Sequence, residues 1–177
     1  MTMLAALVLL GLLMLIELAA RGLSVGGDVG MVIPDATLGW RLAPDHEGEM
    51  AGVKITTDSH GIRVADKGAK SPTANAGTVI WLMGDSFSFG WGLSWQDTVA
   101  HQLSAMMPQS AIYNLGVPGY GMTQSLLRLK SEKALPEPDI VIMLANPMDV
   151  VEDTLTESMI YERPSPLCMT QGKEHCE

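Results

Sequence analysis

The chain has 177 residues, 20 acidic against 11 basic side chains, and a formal net charge of −9. That length suits one domain with a real hydrophobic core, and the acidic balance argues against a nucleic-acid partner, because phosphates need clustered Lys and Arg and none cluster here. The 13 methionines are dispersed after the first few and read as core filler, not as a metal-binding stripe.

The N-terminus is strongly apolar. Met3 to Ile16 carries no charged or strongly polar residue, and the apolar character resumes at Leu18-Ala19-Ala20 after Glu17. A helix of about 18 residues spans roughly 27 Å, enough for a bilayer core. Three readings fit: an uncleaved membrane anchor, a cleaved signal peptide ending at Leu18-Ala19-Ala20, and a buried core helix. The absence of Lys or Arg ahead of the run weighs against the signal peptide, and the anchor is the working expectation. The expected organisation is a hydrophobic segment over 1–20, a glycine-rich linker over 21–33 and one folded domain over 34–177, the last placed outside the cytoplasm.

Pro34 to Arg63 carries turn residues and short extended pieces: Leu38-Gly39-Trp40-Arg41-Leu42, then Val53-Lys54-Ile55-Thr56-Thr57, whose alternation suits a half-buried strand. Ala65 to Gly77 is small and polar and reads as a loop. Val79 to Met83 is an apolar strand, followed by a glycine-rich loop from Phe87 to Leu93. Ser94-Trp95-Gln96-Asp97 has capping-box spacing for a helix that Pro108 stops. Ala111 to Leu115 is the next strand, Thr123 is the expected cap of a second helix, and Ile140 to Ala145 is a third apolar strand. Strands apolar throughout that alternate with helices predict an α/β fold, a parallel sheet with helices on both faces. In such sheets, sites form at the carboxyl ends of the strands, where Ser86, Gly116 and Asn146 stand.

Cys168 and Cys176 are the only cysteines. A disulfide, two free thiols and a metal site are all compatible with their spacing, although His175 supplies only a third metal ligand.

Gly84-Asp85-Ser86-Phe87 places a serine where a strand ends in a sharp turn, the seat a nucleophile needs: a rigid strand behind, an exposed hydroxyl, and free N–H groups beside it. An ordinary Gly-Asp-Ser turn is the bland alternative. Gly84-Asp85-Ser86-Phe87-Ser88-Phe89-Gly90-Trp91-Gly92 and Tyr113-Asn114-Leu115-Gly116-Val117-Pro118-Gly119-Tyr120-Gly121 together resemble the SGNH (GDSL-type) hydrolases, esterases and acyltransferases, in a membrane-anchored bacterial branch. The likeness extends to Leu38-Gly39-Trp40-Arg41 and Thr57-Asp58-Ser59-His60-Gly61-Ile62-Arg63, and covers about Pro34 to Asp153. It implies a flavodoxin-like three-layer fold with Ser86 as nucleophile. The N–H groups of Ser86 and Gly116, with an asparagine side chain, would form the oxyanion hole. It implies no cofactor and no metal.

Two departures stand out. The third family motif, Gly-x-Asn-Asp, reads Asn146-Pro147-Met148-Asp149 here, so Met148 stands where the asparagine belongs; methionine donates no hydrogen bond. Asn146 is the replacement candidate, with a plain strand-end turn as its alternative. The second departure is the base. No Asp-x-x-His follows Asn146; His175, the only downstream histidine, is the candidate base, with a plain surface residue as its alternative. His46, His60 and His101 read as turn or helix-surface residues. The expected function is a serine ester hydrolase or acyltransferase acting on a small-molecule or carbohydrate ester, O-acetyl groups included. An inactive or shortened SGNH-like binding module is the alternative. Trp91, Trp95 and Tyr120 flank the site as candidates for sugar stacking or for packing.

Overall fold

A computed structural model describes residues 9–15, 29–69 and 77–155. Most of the predicted anchor, the start of the linker, His175, Cys168 and Cys176 lie outside the described residues. Residues 9–15 are helical with exposed leucines. Among the described residues no helix is long and apolar enough to cross a membrane.

Two small antiparallel sheets come first. β1 (Val32–Asp35) pairs with β2 (Gly39–Leu42), and β3 (Glu47–Met50), β4 (Val53–Thr57) and β5 (Arg63–Val64) form the second. Asp35 makes the first hairpin turn, its Oδ1 accepting from the N–H groups of Thr37 and Leu38 at 2.8 and 2.9 Å. Met31 and Val32 are fully buried, so the folded unit begins ahead of Pro34.

The second half is a parallel sheet of β6 (Thr78–Gly84), β7 (Ser110–Asn114) and β8 (Ile140–Leu144), in the order β7-β6-β8. Four helices belong to it: α1 (Ser86–Phe89), α2 (Val99–Met106), α3 (Met122–Ser131) and α4 (Pro147–Glu152). Alternation along β6 divides the core in two. Ile80 and Leu82 pack with Ile112 and with Ala100 and Leu103 of α2. Val79, Trp81 and Met83 point the other way, to Ala111, Tyr113 and Leu129 of α3. Successive side chains face opposite sides of a strand, so α2 and α3 cover opposite faces, as the α/β reading requires. The chain leaves β6 toward β7 and returns past it to β8, which makes the carboxyl end of β6, between β7 and β8, the topological switch point.

Several boundaries differ from expectation. Trp95–Asp97 is a separate 3-10 turn; Thr98 caps α2, its hydroxyl accepting from His101 N–H at 3.2 Å, while Ser94 is hydrogen-bonded to Asp97 instead. The Phe87 stretch expected as loop contains the single-turn helix α1, because the Asp85 carboxylate accepts the Phe87 N–H at 2.9 Å and left-handed Gly90 ends the turn. Thr123 caps nothing. Gly121 is the N-cap of α3, and the Thr123 N–H donates to Asp153, the C-cap of α4, at 2.9 Å. β8 is an edge strand with Ile140 and Val141 exposed, so its apolar run is only half covered. The turn expected at Asn146 is the start of α4, with Asn146 as N-cap and Pro147 at the first helical position.

The antiparallel module serves the site directly. Met31, Leu38, Trp40, Leu42 and Ile55 share one core with Phe89 of α1 and with Val117 and Tyr120. The Tyr120 hydroxyl donates to Trp40 O at 2.6 Å, and Trp40 Nε1 donates to Pro118 O at 3.3 Å. Gln124 Nε2 reaches Leu38 O at 2.7 Å. The loop after β7 is thereby held between two sheets.

Candidate active site

Ser86 opens α1 at the carboxyl end of the central strand. Gly84, at φ +136°, makes the turn that brings it there; a Cβ at Gly84 would overlap Leu144 O of β8 and Ser88 Oγ. Ser88 fastens the same turn from beneath, its hydroxyl donating to Met83 O at 2.7 Å. Ser86 is partly exposed, and its hydroxyl donates to Asp85 Oδ2 at 3.3 Å. Its N–H, in the first turn of α1, has no acceptor among the described residues, as a helix start provides.

Asp85 joins three elements. Oδ1 caps α1, and Oδ2 accepts both Ser86 Oγ and Asn146 Nδ2, the latter at 2.6 Å. Asn146 gives its other amide proton to Asp149 Oδ1 at 3.0 Å, and its Oδ1 accepts from Met148 N–H at 2.7 Å. Asp149, 2 % exposed, returns Oδ2 to the Asn146 backbone N–H at 2.9 Å. Asn146 thus lies beside Ser86 with every polar atom of its side chain committed. Burial, and after it the neighbouring Asp85 charge, raises the Asp149 carboxyl above the ordinary range, against the pull of the Asn146 N–H. Glu152 is raised too, first by burial and then by Asp149, Asp85 and Asp153.

Gly116 lies against the same helix. A Cβ there would overlap Phe89 N and Ser88, so this position is glycine because α1 sits directly on it. Its N–H donates to Asn114 Oδ1 at 3.1 Å, and Asn114 Nδ2 donates to Phe89 O at 3.3 Å. The structure therefore brings Ser86, Gly116 and Asn146 to one sheet edge, with the latter two N–H sources already hydrogen-bonded. No described histidine is hydrogen-bonded to Ser86.

Arg63 carries weight that its position in a turn-rich segment did not announce. It is 1 % exposed. Its guanidinium donates to Phe89 O at 3.0 Å, Gly90 O at 2.7 Å and Leu93 O at 2.6 Å, and lies 4.8 Å from the centre of the Phe89 ring. Burial lowers its pKa to about 10, so it stays cationic at neutral pH. It gathers carbonyls from the end of α1 and the turn that follows, adding a charged donor to each. Asp149 was legible as a helix-start acid three places after Asn146. For Arg63 the signals were its place in the family-like Gly61-Ile62-Arg63 stretch and its apolar neighbours Ile62 and Val64, neither of which indicates a loop-fastening role.

An apolar groove of about 330 Å³ opens at Ser86, lined by Phe87, Gly90, Trp91 and Leu93. Of the three stacking candidates only Trp91 reaches it. Tyr120 is buried against Trp40, edge-on at 5.6 Å between ring centres, and Trp95 packs on the α2 face and against His101. His60 lies in a separate polar pocket with Arg41, Asp35 and Arg128. No described group of His, Cys, Asp and Glu is arranged to hold a metal ion.

No protein-family model matches the chain, and no curated protein matches it significantly.

Proposed function

We propose that the chain is a serine ester hydrolase or acyltransferase with Ser86 as nucleophile, in keeping with the resemblance of its two glycine-rich motifs to the SGNH hydrolases. The observation that carries the reading is the seat of Ser86: the carboxyl end of the central parallel strand, at the switch point, with Ser86 lining an open groove and its N–H unclaimed among the described residues. Ser86 Oγ attacks the ester carbonyl carbon, an Oγ–acyl bond forms, and the acyl–oxygen bond to the alcohol breaks. The serine proton leaves with the alcohol by way of a base, for which His175 is the candidate in the sequence. Water or an acceptor hydroxyl then takes the acyl group and returns a proton to Ser86. The Ser86 N–H donates to the carbonyl oxygen as it becomes an oxyanion. Gly116 N–H and Asn146 Nδ2 join it on release from Asn114 and from Asp85 or Asp149. The apolar run in the N-terminal sequence supports a site tethered at an extracytoplasmic membrane surface, and the substrate proposed is a small-molecule or carbohydrate ester.

A second reading has its own support. The Asn146 amide and the Gly116 N–H are hydrogen-bonded within the protein, and Ser86 is hydrogen-bonded to a carboxylate instead of an imidazole. A membrane-tethered module that binds its ligand without turnover fits those commitments. A fluorophosphonate, whose phosphorus bonds to serine as fluoride leaves, separates the two. Labelling of the wild-type chain and none of Ser86→Ala supports the enzyme. No labelling and no hydrolysis of p-nitrophenyl esters supports the binding module.

A further inference from the structure

The groove at Ser86 specifies which part of an ester lies beside the nucleophile. Its walls are Phe87, Trp91 and Leu93, which are 68 %, 37 % and 41 % exposed. Three large apolar side chains cluster around one serine, and the only side-chain groups in the lining that could hydrogen-bond a sugar are the Ser86 hydroxyl and the Trp91 indole N–H. The backbone beneath is stiff. Arg63 holds the carbonyls of Gly90 and Leu93, and the Trp91 N–H donates to Ser86 O at 2.9 Å, so the groove floor is fixed relative to the nucleophile. The other flank of Ser86 is polar and acidic, with Asp85 and Asn146 in contact and Asp149 and Glu152 behind them.

We infer that the groove formed by Phe87, Trp91 and Leu93 is an acyl-chain subsite, and that the ester acted on carries a straight apolar acyl group of butanoyl to octanoyl length, its hydroxyl-bearing alcohol lying on the acidic flank. The inference rests on the esterase reading and narrows it away from acetyl esters. The volume of about 330 Å³ is near the small end for ligand sites, roughly 300–1,000 Å³, which suits a single short chain better than a bulky or branched group. An acetyl group would leave the groove walls wet, and each methylene added against them removes apolar surface from water.

The test uses the full chain with p-nitrophenyl acetate, butanoate, hexanoate and octanoate, alongside the labelling rate of Ser86 by fluorophosphonates with ethyl and octyl chains. The expected result is kcat/KM rising about two- to fourfold per methylene up to the length that fills the groove. Octyl should label faster than ethyl. Trp91→Ala and Leu93→Ala, at exposed positions that the fold tolerates, should each flatten both dependences. Turnover with acetate fastest, or chain length without effect while Ser86 labels normally, overturns the acyl subsite and leaves the esterase standing. An unchanged chain-length slope in both variants also overturns the subsite. No turnover and no labelling with any probe removes the esterase reading and this inference with it.

Discussion

Asp85 and Asn146 meet at 2.6 Å, a carboxylate from the end of β6 accepting an amide proton from the end of β8. That bond ties the turn bearing Ser86 to the start of α4, and the same carboxylate oxygen takes the Ser86 hydroxyl. Because Asn146 also donates to Asp149, one amide separates two buried acids. The local chemistry around the serine is therefore that of a carboxylate pair bridged by an amide, and four predictions test the elements that hold it.

Replacing Asn146 tests the bridge. Asn146→Ala removes an N-cap and both bridging protons, and should destabilise the fold by about 1–2 kcal/mol in urea unfolding. Asn146→Asp places a third carboxylate between two others and should cost about 3 kcal/mol or more at neutral pH. Acidification should recover much of the loss in the aspartate variant and little in the alanine variant.

The pH dependence of stability has a definite sign. Asp149 and Glu152 both have folded pKa values raised above their unfolded values of 3.8 and 4.5. The folded state holds those protons more tightly, so their contribution is fully present below the unfolded values and is lost as pH rises through the folded ones. Asp149→Asn keeps an acceptor for the Asn146 N–H and removes the titration. Urea midpoints measured from about pH 4 to pH 6 should therefore fall less steeply in Asp149→Asn than in the wild type.

Arg63 holds three carbonyls of the Ser86 loop. Arg63→Met fills the space but leaves Leu93 O without its donor, while Gly90 O keeps the Leu93 N–H and Phe89 O keeps Asn114 Nδ2, at an expected loss of about 1–3 kcal/mol. Arg63→Lys keeps the charge but cannot fork to three carbonyls, and should recover less than half of that. Near-wild-type thermal stability in the methionine variant would remove the loop-fastening role.

Gly116 supports α1 by having no side chain. Gly116→Ala drives a methyl group into Phe89 N and Ser88, and should destabilise by about 1–3 kcal/mol while displacing Ser86. Slower fluorophosphonate labelling than in Arg63→Lys at matched stability would separate displacement of the nucleophile from general loosening.

The three apolar strands, the parallel sheet they imply and the strand-end positions of Ser86, Gly116 and Asn146 were all legible in the linear chain. Strand pattern and turn chemistry act over a few residues, so a short window carries them. Helix starts were less legible, because Ser94 and Thr98, or Gly121 and Thr123, offer competing caps within four positions. Contacts with Asp97 and with Asp153 decided between them.

The linear chain alone set the serine just past the end of β6 and the glycines around it. What those groups bind depends on tertiary packing. Asn146 faces Asp85 because β8 lies beside β6, Gly116 is pressed by α1, Tyr120 is buried under Trp40, and Arg63 reaches across from another sheet. The physical reason is that a polar group bonds to whatever partner packing brings within about 3 Å, and that partner lies across the fold instead of along the chain.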